Sequence, residues 1–130
     1  PRQSSVKGVT FDAGGLIALD RDDRRVIALL ARAAEVGALV TVPATALAQA
    51  IRSPARQARL ARLVRQSTTR LEPLDGPDAT CVGVLLAASR TADIVDAHVV
   101  ICARRVGQAI VTSDPEDLRR LDPRVTLIVV

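Results

Sequence analysis

Five aspartates carry the chemistry that this sequence can do. Asp93 and Asp96 stand three residues apart in the run Thr91-Ala-Asp-Ile-Val-Asp-Ala-His98. Asp114 and Asp117 repeat that spacing in Thr112-Ser-Asp-Pro-Glu-Asp-Leu118. The fifth, Asp12, follows Phe11 and precedes Gly14-Gly15. Residues three apart on a helix share a face, so each pair presents two carboxylates together. Carboxylates that converge repel one another unless a cation lies between them, and their oxygens are the ligands preferred by Mg²⁺ and Mn²⁺.

The elements that position these acids are read from apolar periodicity. Val6 to Phe11 reads as a strand with Asp12 at its tip. The two glycines allow a tight turn into a short helix from Leu16 to Leu19, for which Asp12 is also a candidate cap. Asp20 to Arg25 is a charged turn. Val26, Ile27, Leu29, Leu30, Ala33 and Ala34 then recur at helical spacing up to Gly37, a good residue just past a helix end. Ala38 to Val42 is a second strand, stopped by Pro43, which can stand in the first turn of a helix from Ala44 to Ile51.

Ser53 is the expected cap of a further helix, on which Arg56, Arg59 and Arg62, flanked by Arg52 and Arg65, form a basic ridge. That ridge is either a solvated face or a phosphate-contacting one. Thr68 to Glu72 is a third strand, and Asp78 is the expected cap of a helix to Ser89. Thr91 is a candidate cap for the helix that carries Asp93 and Asp96 and runs to Val106. Ala109 to Thr112 is a fourth strand, Pro115 to Leu121 a short helix and Val125 to Val130 a last strand. Short apolar strands alternating with helices predict a single domain over 1–130: a three-layer α/β/α sandwich around a mainly parallel sheet of about five strands. Asp12 and Asp114 then fall at the carboxyl ends of strands, where open α/β sheets bind ligands.

Composition narrows the function. The chain has 130 residues, 48% of them hydrophobic and 25% charged, and its formal net charge is +4. Phe11 is the only aromatic, which argues against nucleic-acid binders that stack bases on aromatic platforms. Lys7 is the only lysine, so the positive charge is carried by arginine, which suits phosphate contacts. Cys81 and Cys102 lie within apolar helical patterns and read as buried free thiols of a reducing compartment. Without nearby histidines they are not expected to form a zinc site. His98, a lone helical histidine two residues past Asp96, points away from the acids and reads as structural. No signal-peptide pattern precedes Val6 and no apolar run approaches a bilayer span, so a cytoplasmic protein without a membrane partner is expected.

The blocks that hold the acids resemble PIN-domain ribonucleases. Phe-Asp-Ala-Gly-Gly-Leu-Ile-Ala-Leu at 11–19 is similar to their opening motif and Val-Pro-Ala-Thr-Ala-Leu-Ala-Gln-Ala at 42–50 to their second block. Asp-Ile-Val-Asp-Ala-His at 93–98 is similar to the third, and Val-Thr-Ser-Asp-Pro-Glu-Asp-Leu at 111–118 to the fourth. The four stand in order across nearly the whole chain, and the likeness is greatest to the VapC toxins of bacterial toxin–antitoxin pairs. The resemblance implies a metal-dependent endoribonuclease, with Asp12, Asp96 and Asp114 holding Mg²⁺ or Mn²⁺ and Asp117 as an accessory acid. Asp93, Thr112 and Ser113 would support those ligands from outside. It also implies an RNA substrate, a cognate antitoxin over the acidic groove, and a homodimer built on the helices after Asp12 and around Ala44–Leu60.

One position departs from the pattern. Gln49 stands where the family usually has glutamate. A glutamine can reach a metal through its carbonyl oxygen or a water, but it brings no charge and no base. This motivates an alternative, a weak or inactive PIN domain that binds RNA or protein. A haloacid-dehalogenase phosphatase, suggested by Phe-Asp-Ala-Gly-Gly, would need an aspartate where Gly14 stands. A phospho-receiver domain would need a late lysine, and no lysine follows Lys7.

Overall fold

The computed structural model describes residues 8–130. The expected start of the first strand, Val6 and Lys7, lies outside the described residues. Five short strands form one sheet: β1 (Val9–Phe11), β2 (Val40–Pro43), β3 (Thr69–Glu72), β4 (Ala109–Thr112) and β5 (Leu127–Val129). Their order is β3-β2-β1-β4-β5 and every pair is parallel. The three inner strands are almost wholly buried, as a parallel sheet covered on both faces requires, while the edge strands β3 and β5 are partly exposed.

Seven helices flank this sheet: α1 (Ala13–Asp20), α2 (Arg24–Val36), α3 (Ala44–Ala50), α4 (Ala58–Arg65), α5 (Gly76–Ser89), α6 (Ile94–Val106) and α7 (Pro115–Leu121). The chain steps outward from β1 to β2 to β3, then returns to β4 on the other side of β1. With right-handed crossovers, the helices of the first half cover one face and those of the second half the other. α1 packs against α3 and α4, and α6 packs against β1, β2 and β4 between α5 and α7. The core joins both faces through Phe11, Leu16, Val42, Val99, Val100, Ile110, Val111 and Leu118, each fully buried. No helix among the described residues is long and apolar enough to cross a membrane.

Local chemistry moved several boundaries. α1 begins at Ala13, three residues before the expected start, because Asp12 caps it by accepting the Gly15 N–H at 2.7 Å. β2 begins at Val40 and extends through Pro43, which precedes α3 instead of standing inside it. Ser53 makes no side-chain cap. Residues Pro54–Arg56 form a single 3₁₀ turn, and the buried Gln57 leads into α4. Asp75 caps α5 by accepting the Asp78 N–H, so Asp78 is not the cap. Asp93 caps α6, while the Thr91 hydroxyl bonds Ser89. Gly37 and Gly107 end α2 and α6 in the left-handed conformation.

Candidate active site

β1 and β4 are neighbours whose connections leave toward opposite faces. Their carboxyl ends therefore flank the cleft where an open parallel sheet receives a ligand. Asp12 follows β1 directly and Asp114 follows β4 by two residues. The turn after β1 is drawn tight against β4: the Asp12 N–H donates to the Val111 carbonyl at 3.2 Å. A Cβ on Gly15 would stand 2.5 Å from that carbonyl oxygen and 3.1 Å from the Phe11 ring, so only glycine fits. Gly14 lies against the Ser113 hydroxyl in the same way.

Asp12 is buried, and burial raises its carboxyl above the usual carboxylate value. The Thr112 hydroxyl and the Gly15 N–H work against that rise, and Asp114 adds to it. Thr112 is itself fully buried, and its Oγ1 accepts the Asp114 N–H at 2.9 Å. One hydroxyl thus faces the first acid while it fixes the backbone of the fourth. Asp114 precedes α7 yet makes no side-chain cap, which leaves its exposed carboxylate free of that task.

Asp96 shows how the acids are gathered. Its half-buried carboxyl is pushed up to about 7, first by burial and then by the negative charges of Asp93, Asp12, Asp117 and Asp114. The other four expected acids therefore all act on Asp96 at this end of the sheet. Asp93 spends one oxygen on the Asp96 N–H at 2.9 Å, and Asp117 pairs with Arg120 at 3.4 Å on the surface. Ser113 is exposed beside Gly14. Gln49 is exposed on α3 and has no side-chain hydrogen bond among the described residues.

The carboxylate oxygens are not drawn into a tight ligand set. Among the described residues, the only three metal-ligating side chains whose donor atoms all lie within 4.8 Å of one another are Asp78, His98 and Cys102.

The basic ridge is partly committed elsewhere. Arg59 pairs with Asp22 at 3.1 Å, and Arg52 donates to the Ile51 carbonyl at 2.7 Å. Arg59 and Arg62 also line an apolar cavity of about 440 Å³ with Leu19, Ile27, Leu30 and Leu63, and none of the five acids lines it.

His98 does point away from the acids, but into a second polar cluster that the sequence reading missed. It is fully buried, with Nδ1 2.6 Å from the Thr45 hydroxyl and Nε2 3.7 Å from Asp78 Oδ2. Burial lowers its affinity for a proton, against the opposing pull of Asp78. Cys102 lies one helical turn beyond it and is also buried, which pushes the thiol up to about 12. The expectation of thiols without a nearby histidine is therefore corrected for Cys102, and that of a buried thiol for Cys81, which is exposed on α5. Arg105 donates to Asp78 Oδ1 and lies 3.7 Å from Glu72. The signal available in the sequence was the i, i+4 spacing of His98 and Cys102.

No protein-family model and no curated protein matches the chain.

Proposed function

We propose that this chain is a metal-dependent endoribonuclease of the PIN-domain kind, acting as the toxin of a toxin–antitoxin pair. The observation that carries the reading is the gathering of Asp12, Asp93, Asp114 and Asp117 around Asp96 at the junction of β1 and β4. An acid pushed up by burial and by four other carboxylates is poised to exchange its proton for a cation. Asp12, Asp96 and Asp114 would hold Mg²⁺ or Mn²⁺, with Asp117 available for a water or a second ion. An ion held there would make a nucleophilic water available at neutral pH and offset charge on the phosphodiester.

The remaining work falls to the chain. The Asp12 carboxyl is held in place by the Gly15 N–H and steadied by Thr112, and Thr112 fixes the Asp114 backbone. Asp93 organises the first turn of α6, so that Asp96 is presented at a fixed height. Arginine side chains bring the RNA backbone to a pocket that would otherwise repel it. An antitoxin that covers the acids and a second copy of the chain are the partners this reading implies.

The test is cleavage of a mixed structured-RNA pool by the purified chain with Mg²⁺, with Mn²⁺ and with chelator, beside Asp96→Asn. The reading requires metal-dependent cleavage that Asp96→Asn abolishes. The exposed, unbonded Gln49 favours a second reading, a PIN domain that binds RNA without cutting it. In that case the folded chain retains RNA without cleaving it, and Gln49→Glu restores cleavage.

A further inference from the structure

The polar cluster behind α6 is built from three chain segments. Asp78 comes from the first turn of α5, His98 and Cys102 from successive turns of α6, and Thr45 from the first turn of α3. His98 is 0% exposed and Cys102 is 1% exposed. His98 Nε2 is buried and makes no hydrogen bond of good geometry among the described residues, although Asp78 Oδ2 faces it at 3.7 Å and the Pro73 backbone also acts on the ring. A buried polar atom left without a partner calls for a physical explanation.

We propose that Asp78, His98 and Cys102 form a binding site for a zinc-class divalent cation, distinct from the acidic group and independent of the nuclease reading. The donors are Asp78 Oδ2, His98 Nε2 and Cys102 Sγ, with a water in the fourth position. Three arguments point to this ion.

The first is the tautomer. The Thr45 hydroxyl, 2.6 Å from Nδ1, can either donate to the ring or accept its N–H, so a cation between Nε2 and Asp78 can draw the proton to Nδ1 and take the Nε2 lone pair. A partner on the far nitrogen is the usual support of a metal-binding histidine.

The second is the division of labour on Asp78. Its Oδ1 takes the Arg105 guanidinium, which leaves Oδ2 turned to the ring.

The third is charge. Asp78 and Glu72 carry two negative charges against the single positive charge of Arg105. A divalent cation that binds Cys102 as the thiolate adds two positive charges and one negative, and the cluster becomes neutral. In that step the sulfur–hydrogen bond breaks, the proton goes to bulk water and the metal–sulfur bond forms, with no change of oxidation state.

The geometry is within reach. Donor atoms within 4.8 Å of one another must close to roughly 3.3–3.7 Å around an ion with bonds of about 2.0–2.3 Å, a side-chain movement of about 1 Å. The donor set of imidazole, thiolate and carboxylate selects zinc-class ions over Mg²⁺.

The test uses the full chain, stripped by chelator and titrated with Co²⁺ as a spectroscopic substitute. In excess Mg²⁺, which keeps the acidic group occupied, the expected result is one tetrahedral cobalt per chain, with intense visible bands and a sulfur-to-metal band in the ultraviolet that Zn²⁺ displaces. Cys102→Ser should lose the sulfur band, while Asp96→Asn and Cys81→Ser keep it. If Cys102→Ser does not fold, thiol labelling of the unmutated chain decides instead: Zn²⁺ must slow modification of Cys102 and leave that of Cys81 unchanged. Weak octahedral bands alone, a sulfur band lost in Cys81→Ser, or Zn²⁺ without effect on Cys102 labelling would each overturn the site.

Discussion

Asp96 sits at the balance point of the acidic group, and its proton is the most sensitive reporter of that group. Its folded value of about 7 lies above the ordinary 3.8, so the folded chain binds a proton that the unfolded chain has released between those values. The resulting stability is present in full below the ordinary value and is lost as pH rises through about 7. Allowing for solvent screening at this half-exposed carboxyl, the loss is about 1–2 kcal/mol. Thermal melts of ion-free protein at about pH 5 and about pH 8 should show the lower midpoint at the higher pH. Asp96→Asn should remove most of that difference, and Mg²⁺ should raise the midpoint chiefly at the higher pH. A melt independent of pH and of Mg²⁺ would mean that the acids do not act on one another.

Asp93 separates capping from charge. Asp93→Asn keeps a side-chain oxygen for the Asp96 N–H and removes the strongest repulsion on Asp96, so stability should hold and the Asp96 proton should be released at lower pH. Asp93→Ala loses the cap as well and should cost about 1 kcal/mol by denaturant unfolding. The acids themselves were legible in the sequence because their spacing follows helix and strand ends. Asp78 was not: next to Gly76-Pro77 it reads as a cap, and only the packing of α5 on α6 shows that it is buried against His98.

The elements were legible where periodicity was strong and less so where one hydrogen bond set the boundary. α2, α6, β4 and α7 follow their apolar patterns and their Gly or Pro ends. α1 was underestimated because Ala13-Gly14-Gly15 looks like a turn, yet Asp12 supplies the cap that lets two glycines stand in a helix. The reason for glycine there is the contact between the β1 turn and β4, which no local pattern can reveal. Gly15→Ala should force the Val111 carbonyl and the Phe11 ring to shift, costing roughly 1–3 kcal/mol by chemical denaturation. It should also weaken Mg²⁺ binding, because Asp12 and Asp114 would no longer hold their separation. A Gly15→Ala chain as stable as the parent would show that this approach is looser than described.

At the scale of the molecule, alternating strands and helices foretold the parallel sheet, but not the order in which its strands lie. That order depends on crossover handedness and on which faces find each other. It places the single aromatic residue, Phe11, at the centre of the core on the central strand. Phe11→Ala should cost about 3–5 kcal/mol. A domain of about 5–15 kcal/mol total stability has little left after such a loss. Most of this chain should then be unfolded by circular dichroism at moderate temperature.

The strand order also has a consequence in time. β1 leaves the ribosome well before its neighbour β4 and the helix bearing Asp117, which are made roughly a hundred residues later. Until Leu121 has emerged, Asp12 has no partner on one flank and the acids exist only as scattered side chains on an unfinished sheet. Whatever chemistry they perform is therefore withheld from the growing chain and begins only once synthesis has passed the last of them.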